Sequence, residues 1–450
     1  MTSLTLVTLA VVAYGVLGRG GYGRALALGG VTAAGAALVV GGTAVPTFYA
    51  VAIGAALALA LRLLGYGRAM APPRQPLPPG ASLLVMFLVW SGLVTLVAPL
   101  IFDGMAIVTP TTRSLVAGVV TSSNVAQLGY LLLGICVVVF LARSPRSGPE
   151  LIGIIVGTTT LLCLWRYLHQ AVGLPFPENL FDNSPTFAYI ETAPNNVERF
   201  RGIFSEPAGL AGSSLVTISY MMSRMRHLTG WRRIGALVMA AVAVYLGVIS
   251  TSATFVVAGV AVTAIVGLSI GFGFLMRWTR FSAVVSLVGC AVVIVAIWAL
   301  PVIADFVQGT VNQKLTSSSY NERSGADSSS YAVFLDTFGV GVGLGSGRAS
   351  SFVPTLLSTT GLVGTLLFTA AVVTLIRRGA AVPAYRPVVW ALVTLLVIKV
   401  VAGPDLSDTT GILWMSLGLL SHAATLHRPT DGVPPTENGA PALATRTSRS

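Results

Sequence analysis

The chain has 450 residues, 54% of them apolar and 9% charged, with a mean hydropathy of +0.83. A soluble domain carries roughly 25% charged residues, so the composition excludes one and implies a polytopic membrane protein. The net charge of +12 lies mostly in short loops and a terminal tail. It is a topology signal and not the footprint of a nucleic-acid partner.

In lipid the backbone must satisfy its own hydrogen bonds, so an all-α fold follows. A span needs about 20 mostly apolar residues. Thirteen candidates run along the chain at 3–18, 25–43, 47–64, 81–101, 125–142, 150–173, 206–223, 232–250, 253–275, 281–301, 352–376, 385–403 and 408–426. They give one transmembrane domain over 1–426, with 12–14 helices as the range. A proline-rich connector covers 65–80. The polar tail 427–450 is expected to be disordered and cytoplasmic.

Charge placement tests that count. With the N-terminus outside, 19 of the 27 basic residues fall in inner loops or the tail, and only Glu150, Asp431 and Glu437 among the acids join them. Cys136, Cys163 and Cys290 each lie within a span and read as small packing residues. They form neither a disulfide pattern nor a metal site. No Walker A motif or zinc spacing occurs, and no cofactor is implied.

Most connections are short, and the long extracytoplasmic ones are where chemistry is expected. Loop 174–205 ends in "ERFRGIFSEPAGLAG" (198–212). Ser205 suits a helix N-cap, proline is tolerated in the first turn, and Glu206 complements the helix dipole. Capping does not explain Arg199 and Arg201, which are unfavourable near a helix N-terminus unless an anion lies between them. Loop 302–351 contains "SSSYAVFLDTFG". There Tyr331, Phe334, Leu335 and Phe338 share one face of a short amphipathic helix that Gly339 would stop. The glycines at 339, 341, 343, 345 and 347 that follow fit either an anion-binding run of N–H groups or a flexible linker.

Cations gather at the same side. Arg166 and His169 share a helix face near the outer end of span six, and Lys399 lies near the outer end of span twelve. Arg199 and Arg201 precede span seven, while Arg323 and Arg348 flank the amphipathic segment. Arg166 and Lys399 could simply snorkel to headgroups. A cluster on one face instead suggests a phosphate partner, which arginine binds bidentately.

"RFRGIFSEPAGLAGSSL" resembles the Arg-x-x-Gly-hydrophobic-Phe-x-Glu-Pro signature of Wzy-type O-antigen and capsule polymerases, in one superfamily with the O-antigen ligases. The region from Arg323 through "GVGVGLGSG" to "TTGLVGTLLF" is similar too. The resemblance implies a GT-C-like, inverting, metal-independent glycosyltransferase on the extracytoplasmic face of the cytoplasmic membrane. It would join a glycan from a polyprenyl diphosphate carrier to a lipid-linked repeat unit, with a flippase and a chain-length regulator as partners. Carried over, Arg201 (or Arg199), Arg323 and Glu206 are the catalytic candidates. Arg166, His169, Arg348, Lys399 and Asp336 join Arg199 as candidates for holding diphosphate or glycan. A base would come from Glu206, Asp336 or His169. Ser350 stands where a ligase has histidine, so a polymerase is the expectation. A ligase, a transporter or flippase, and a non-catalytic scaffold are the alternatives.

Overall fold

The structure, a computed structural model, describes residues 3–17, 21–40, 43–64, 77, 79–107, 113–185, 187–191, 198–276 and 318–426. The candidate span 281–301, most of the proline-rich connector and the tail 427–450 lie outside the described residues. The rest is almost entirely helical. The helices are α1 (Ser3–Leu17), α2 (Tyr22–Gly29), α3 (Thr47–Leu63), α4 (Pro79–Ile101), α5 (Ser122–Arg143), α6 (Glu150–Val172), α7 (Glu178–Phe181), α8 (Pro207–Arg224), α9 (Gly230–Ile249), α10 (Ala253–Met276), α11 (Ser318–Asp336), α12 (Phe352–Ala380), α13 (Arg386–Ala402) and α14 (Ile412–Leu426).

Among the described residues six helices are long and apolar enough to cross a membrane, and four shorter apolar helices accompany them. This is an all-α, multi-pass membrane protein. Helix α14 forms the centre: from Ile412 to Ala424 nearly every residue is buried. A helix apolar all round belongs in the middle of a bundle. Small residues let its neighbours approach. Gly134 of α5 faces the Trp414 indole, Gly418 lies against Val138 and Leu141, and Gly379 lies against Leu420. Close packing of this kind replaces the hydrophobic effect between helices in lipid.

The helix ends sort into two groups. At one end Arg146 meets Gly21, the Tyr220 hydroxyl donates to Pro149, and the Tyr385 hydroxyl donates to Ser147. At the other, Asn183 and Tyr189 bond residues 34–36, and Arg348 meets Asp405. The second group brings together the long loops, and "the loop end" denotes it below.

The expected span 25–43 is not a continuous helix. Its helix, α2, lasts eight residues, and a hairpin follows: β1 (Ala36–Val40) paired antiparallel with β2 (Thr43–Pro46). The run "GG" at 29–30 allows this, because a Cβ on Gly30 would lie only 2.1 Å from the Thr410 carbonyl. Side chains from elsewhere satisfy the open backbone. Asn183 both accepts from the Ala36 N–H (2.8 Å) and donates to its carbonyl (2.9 Å), and Thr5 donates to Ala37 (2.7 Å). Non-helical backbone is tolerated at membrane depth only when buried in protein and bonded in this manner.

Helix α12 is broken at Gly361, which holds φ 67°, ψ −171°, a region essentially restricted to glycine. The break frees carbonyls that the glycine run takes up. Val342 N–H donates to Ser358 (2.8 Å), Gly343 N–H to Thr359 (2.9 Å), and Leu362 N–H reaches back to Gly339 (2.8 Å). The Trp90 indole donates to the Thr360 carbonyl at 2.8 Å. Residues 339–345 therefore run as a buried strap against α12, with Val342 fully buried. Side chains would not fit: a Cβ on Gly343 meets Thr95 Cα at 2.6 Å, and one on Gly345 meets Ser123 O at 2.6 Å.

Two sequence expectations change here. The short amphipathic helix at 331–338 is the last part of the longer α11. It does end as expected, with Phe338 at φ 51°, Gly339 at φ 76°, and Gly339 N–H on the Phe334 carbonyl (2.9 Å). The strap glycines are neither an anion cradle nor a loose linker, because several of their N–H groups are already bonded within the protein.

Gly361→Ala is expected to lower stability by about 1–3 kcal/mol from backbone strain alone, and more from the clash with Val340 O at 2.3 Å. Gly92→Ala in α4, where nothing lies within 4 Å of the added methyl, is the matched control and should leave the melting temperature unchanged or higher. Thermal unfolding in detergent compares them, and equal melting temperatures for the two variants would remove the break from the account.

Candidate functional site

Helix α8 begins at Pro207, with Glu206 in the N-cap position and extended (φ −137°, ψ 152°). The cap falls one residue later than Ser205. Glu206 makes no capping bond and its side chain is exposed. Without a capping bond, its carboxylate stands at the start of the helix available for other work.

Arg199 precedes it by seven residues. Its Nε donates to Thr251 Oγ1 (3.2 Å) and its Nη2 to the Thr251 carbonyl (3.0 Å). Thr251 holds φ 47°, unusual for a β-branched residue and a sign of strain at this place. Partial burial and the neighbouring Arg323 charge pull the Arg199 guanidinium below its ordinary value, and Glu206 opposes them. Arg323, from the first turns of α11, is thus within electrostatic reach of Arg199. Two loops more than a hundred residues apart in sequence bring two arginines and one glutamate together. Among the described residues neither arginine pairs with a carboxylate within 4.0 Å.

Arg201 is in a different state. Its Nε donates to Glu191 (2.8 Å), Nη1 to Asp182 (3.0 Å) and to the Phe204 carbonyl (2.7 Å), and Nη2 to Asp182 (2.6 Å). These four bonds engage four of its five N–H donors. Arg166 shares the same acids, with Nη1 and Nη2 on Asp182 at 3.2 and 3.1 Å and Nη2 on Glu191 at 3.1 Å. Both arginines are buried, at 2% and 4% exposure, and each also faces an aromatic ring, Phe176 or Tyr189. His169 bonds the Leu174 carbonyl at 2.6 Å and approaches Glu178 at 3.8 Å. The expectation that Arg166 and Arg201 wait for an anion gives way to a closed network that pins loop 174–191 onto α6 and the start of α8. Two buried guanidinium groups need paired carboxylates more than they need a ligand.

The remaining candidates separate. Arg348 pairs with Asp405 at 2.7 Å, and Lys399, 7% exposed, donates to the Asp405 carbonyl at 2.7 Å. Arg348 and Asp405, but not Lys399, line a cavity of about 250 Å³ bounded by α5, residues 344–348, the first half of α12 and residues 404–406. Asp336 ends α11, thirteen residues from Arg323 and so roughly 20 Å along the helix. That removes it from the Arg199–Arg323–Glu206 group and from the choice of base. Ser350 has its N–H, with that of Ser351, on Asp327 Oδ1 (2.7 and 3.0 Å), a cap for α12 supplied by α11.

Sequence reasoning missed the acids. Asp182, Glu191 and Asp405 decide which cations are neutralised, and the signal was their concentration in the same loops as the arginines. Among the described residues no group of three or more His, Cys, Asp or Glu side chains could hold a metal ion. No protein-family model matches the chain, and comparison with curated proteins returns no match.

Burial alone would raise the Asp182 carboxyl, but hydrogen bonds from Arg201 and Arg166 and their charges hold it below its ordinary value. Its stabilising contribution is therefore complete above the unfolded value near ~3.9 and is lost as pH falls through the lower folded value. Asp182→Asn should destabilise the protein by on the order of 3 kcal/mol at neutral pH and flatten that acid limb. Thermal unfolding across pH 3–7 checks both. An unchanged melting temperature would show that the network does not hold the loop.

Proposed function

We propose that this protein is a polysaccharide polymerase acting at the extracytoplasmic face of the cytoplasmic membrane, where the loop end would lie. It transfers a glycan from a polyprenyl diphosphate to the lipid-linked repeat unit that accepts it. The observation that carries the reading is the Arg199–Arg323 pair, drawn from two distant loops with Glu206 beside Arg199 and, among the described residues, without a carboxylate within 4.0 Å of either arginine. Like charges held together are unfavourable, and an incoming diphosphate would offset that repulsion. The resemblance of the 199–215 segment to the Wzy-type signature supports the same reading. The diphosphate role falls to Arg199 and Arg323, and Arg201 becomes a positioning residue for the loop.

In the proposed reaction an acceptor hydroxyl attacks the anomeric carbon as its bond to the diphosphate oxygen breaks. Negative charge grows on the leaving diphosphate, and the two guanidinium groups stabilise it. The hydroxyl proton passes to the Glu206 carboxylate. Attack opposite the leaving group inverts the anomeric centre.

A flippase is the second reading, and the broken α12 favours it, since discontinuous helices mark many transporters. Against it, the carbonyls of residues 358–360 freed by the break are occupied by the strap and by Trp90. One experiment separates the two. Purified protein in liposomes with lipid-linked repeat units should lengthen glycan and release carrier diphosphate. Arg199→Gln and Arg323→Gln should each lower that rate by roughly 10²–10³-fold with little change in melting temperature. Transbilayer movement of the lipid without elongation would sink the polymerase.

A further inference from the structure

The turn between α8 and α9, residues 225–229, stands at the end of the bundle opposite the long loops. Tyr220, near the end of α8, bonds Pro149, and the Arg224 guanidinium lies against Gly153. Arg226, Arg232 and Arg233 are all exposed on this turn or just after it. Among the described residues no carboxylate stands within 4.0 Å of any of the three. Glu150, the acid at the start of α6, is folded over Gly148 instead.

Trp231 adds an aromatic element to that patch, at 85% exposure. An indole, apolar with one polar edge, settles at the boundary between membrane and water. It also begins a stripe. Trp231, Ile234, Val238, Ala241, Tyr245 and Val248 are exposed, and they follow one another at intervals of three and four, on one face of α9. Ala236, Ala240, Ala243, Leu246 and Gly247 are buried and turn to the bundle. Of the six helices long enough to span, α9 is the least buried. The stripe on a peripheral span faces lipid, and Trp231 marks where it reaches the headgroups. The bilayer therefore covers this face, and the unpaired cations select its charge. Arginine binds phosphate oxygens through its planar fork, and each basic residue at the surface favours an anionic leaflet.

We infer that the α8–α9 turn binds anionic phospholipid, with Trp231 at the boundary of headgroup and acyl chain and Arg226, Arg232 and Arg233 on the headgroup phosphates. A zwitterionic lipid carries its own cation beside the phosphate, which opposes these arginines. A headgroup of net negative charge is therefore preferred.

Native mass spectrometry of the detergent-solubilised full chain, titrated with phosphatidylglycerol or phosphatidylcholine of the same acyl chains, tests this. Phosphatidylglycerol should be retained about tenfold more tightly, and inorganic phosphate should not displace it. The triple variant Arg226→Gln, Arg232→Gln, Arg233→Gln should abolish the preference with an unchanged melting temperature. Trp231→Ala should weaken both lipids. Arg377→Gln with Arg378→Gln removes two exposed cations from the last turn of α12, at the same end of the bundle, and should keep the preference. Equal retention of the two lipids, displacement by phosphate, or an equal loss in both arginine variants would overturn the site. Lipid retention is read without glycan transfer, so its outcome is independent of the proposed polymerase.

Discussion

The rest of the loop end depends on the break in α12 at Gly361. An interrupted helix within a membrane leaves carbonyl groups that lipid cannot bond. The strap 339–345 and Trp90 supply the missing donors, and only glycine at alternate strap positions lets the backbone come that close. Once the strap is seated, its neighbours are fixed as well. Leu344 N–H is held by Thr95 and its carbonyl by Asn124 (3.0 and 2.6 Å), tying α4 and α5 to the same line. Helix α11 is then anchored at its C-terminal end by Gly339 and at its middle by Asp327, and Arg323, one turn before Asp327, lies within electrostatic reach of Arg199.

Electrostatics divides the loop-end cations into three conditions. Arg166 and Arg201 are buried and neutralised by Asp182 and Glu191, and they serve architecture. Arg199 is half-buried and Arg323 exposed; among the described residues neither pairs with a carboxylate, and Glu206 acts on Arg199. Lys399 is buried with a carbonyl only. The same residue type thus carries different chemistry according to where the nearest acid falls. Partnering, more than burial, marks which cations remain to meet a ligand.

Much of this was legible in the sequence. Hydropathy gave the membrane class, and the charge distribution grouped the loops that the structure gathers at one end. Gly339 stops α11 as its spacing indicates, and α8 starts within one residue of the expected place. The second span was misread because residues 25–43 are almost entirely apolar, and hydropathy does not distinguish a helix from a hairpin. What makes the hairpin stable is Asn183, nearly 150 residues away. The strap was misread for a similar reason: alternate glycines suit an anion nest and a tight helix contact equally, until the partner helix is known.

The sequence by itself determined that this chain is a helical, multi-pass membrane protein, and it grouped the long loops and their reactive residue types together. Those properties follow from local composition and hydrogen-bond need. Only the tertiary structure decided that Arg201 is neutralised while, among the described residues, Arg199 and Arg323 are not, that Asp336 lies roughly 20 Å along α11 from Arg323, and that Lys399 is buried against the Asp405 carbonyl. Each of these depends on the distance between residues far apart in the chain, and a Coulomb interaction is set by that distance.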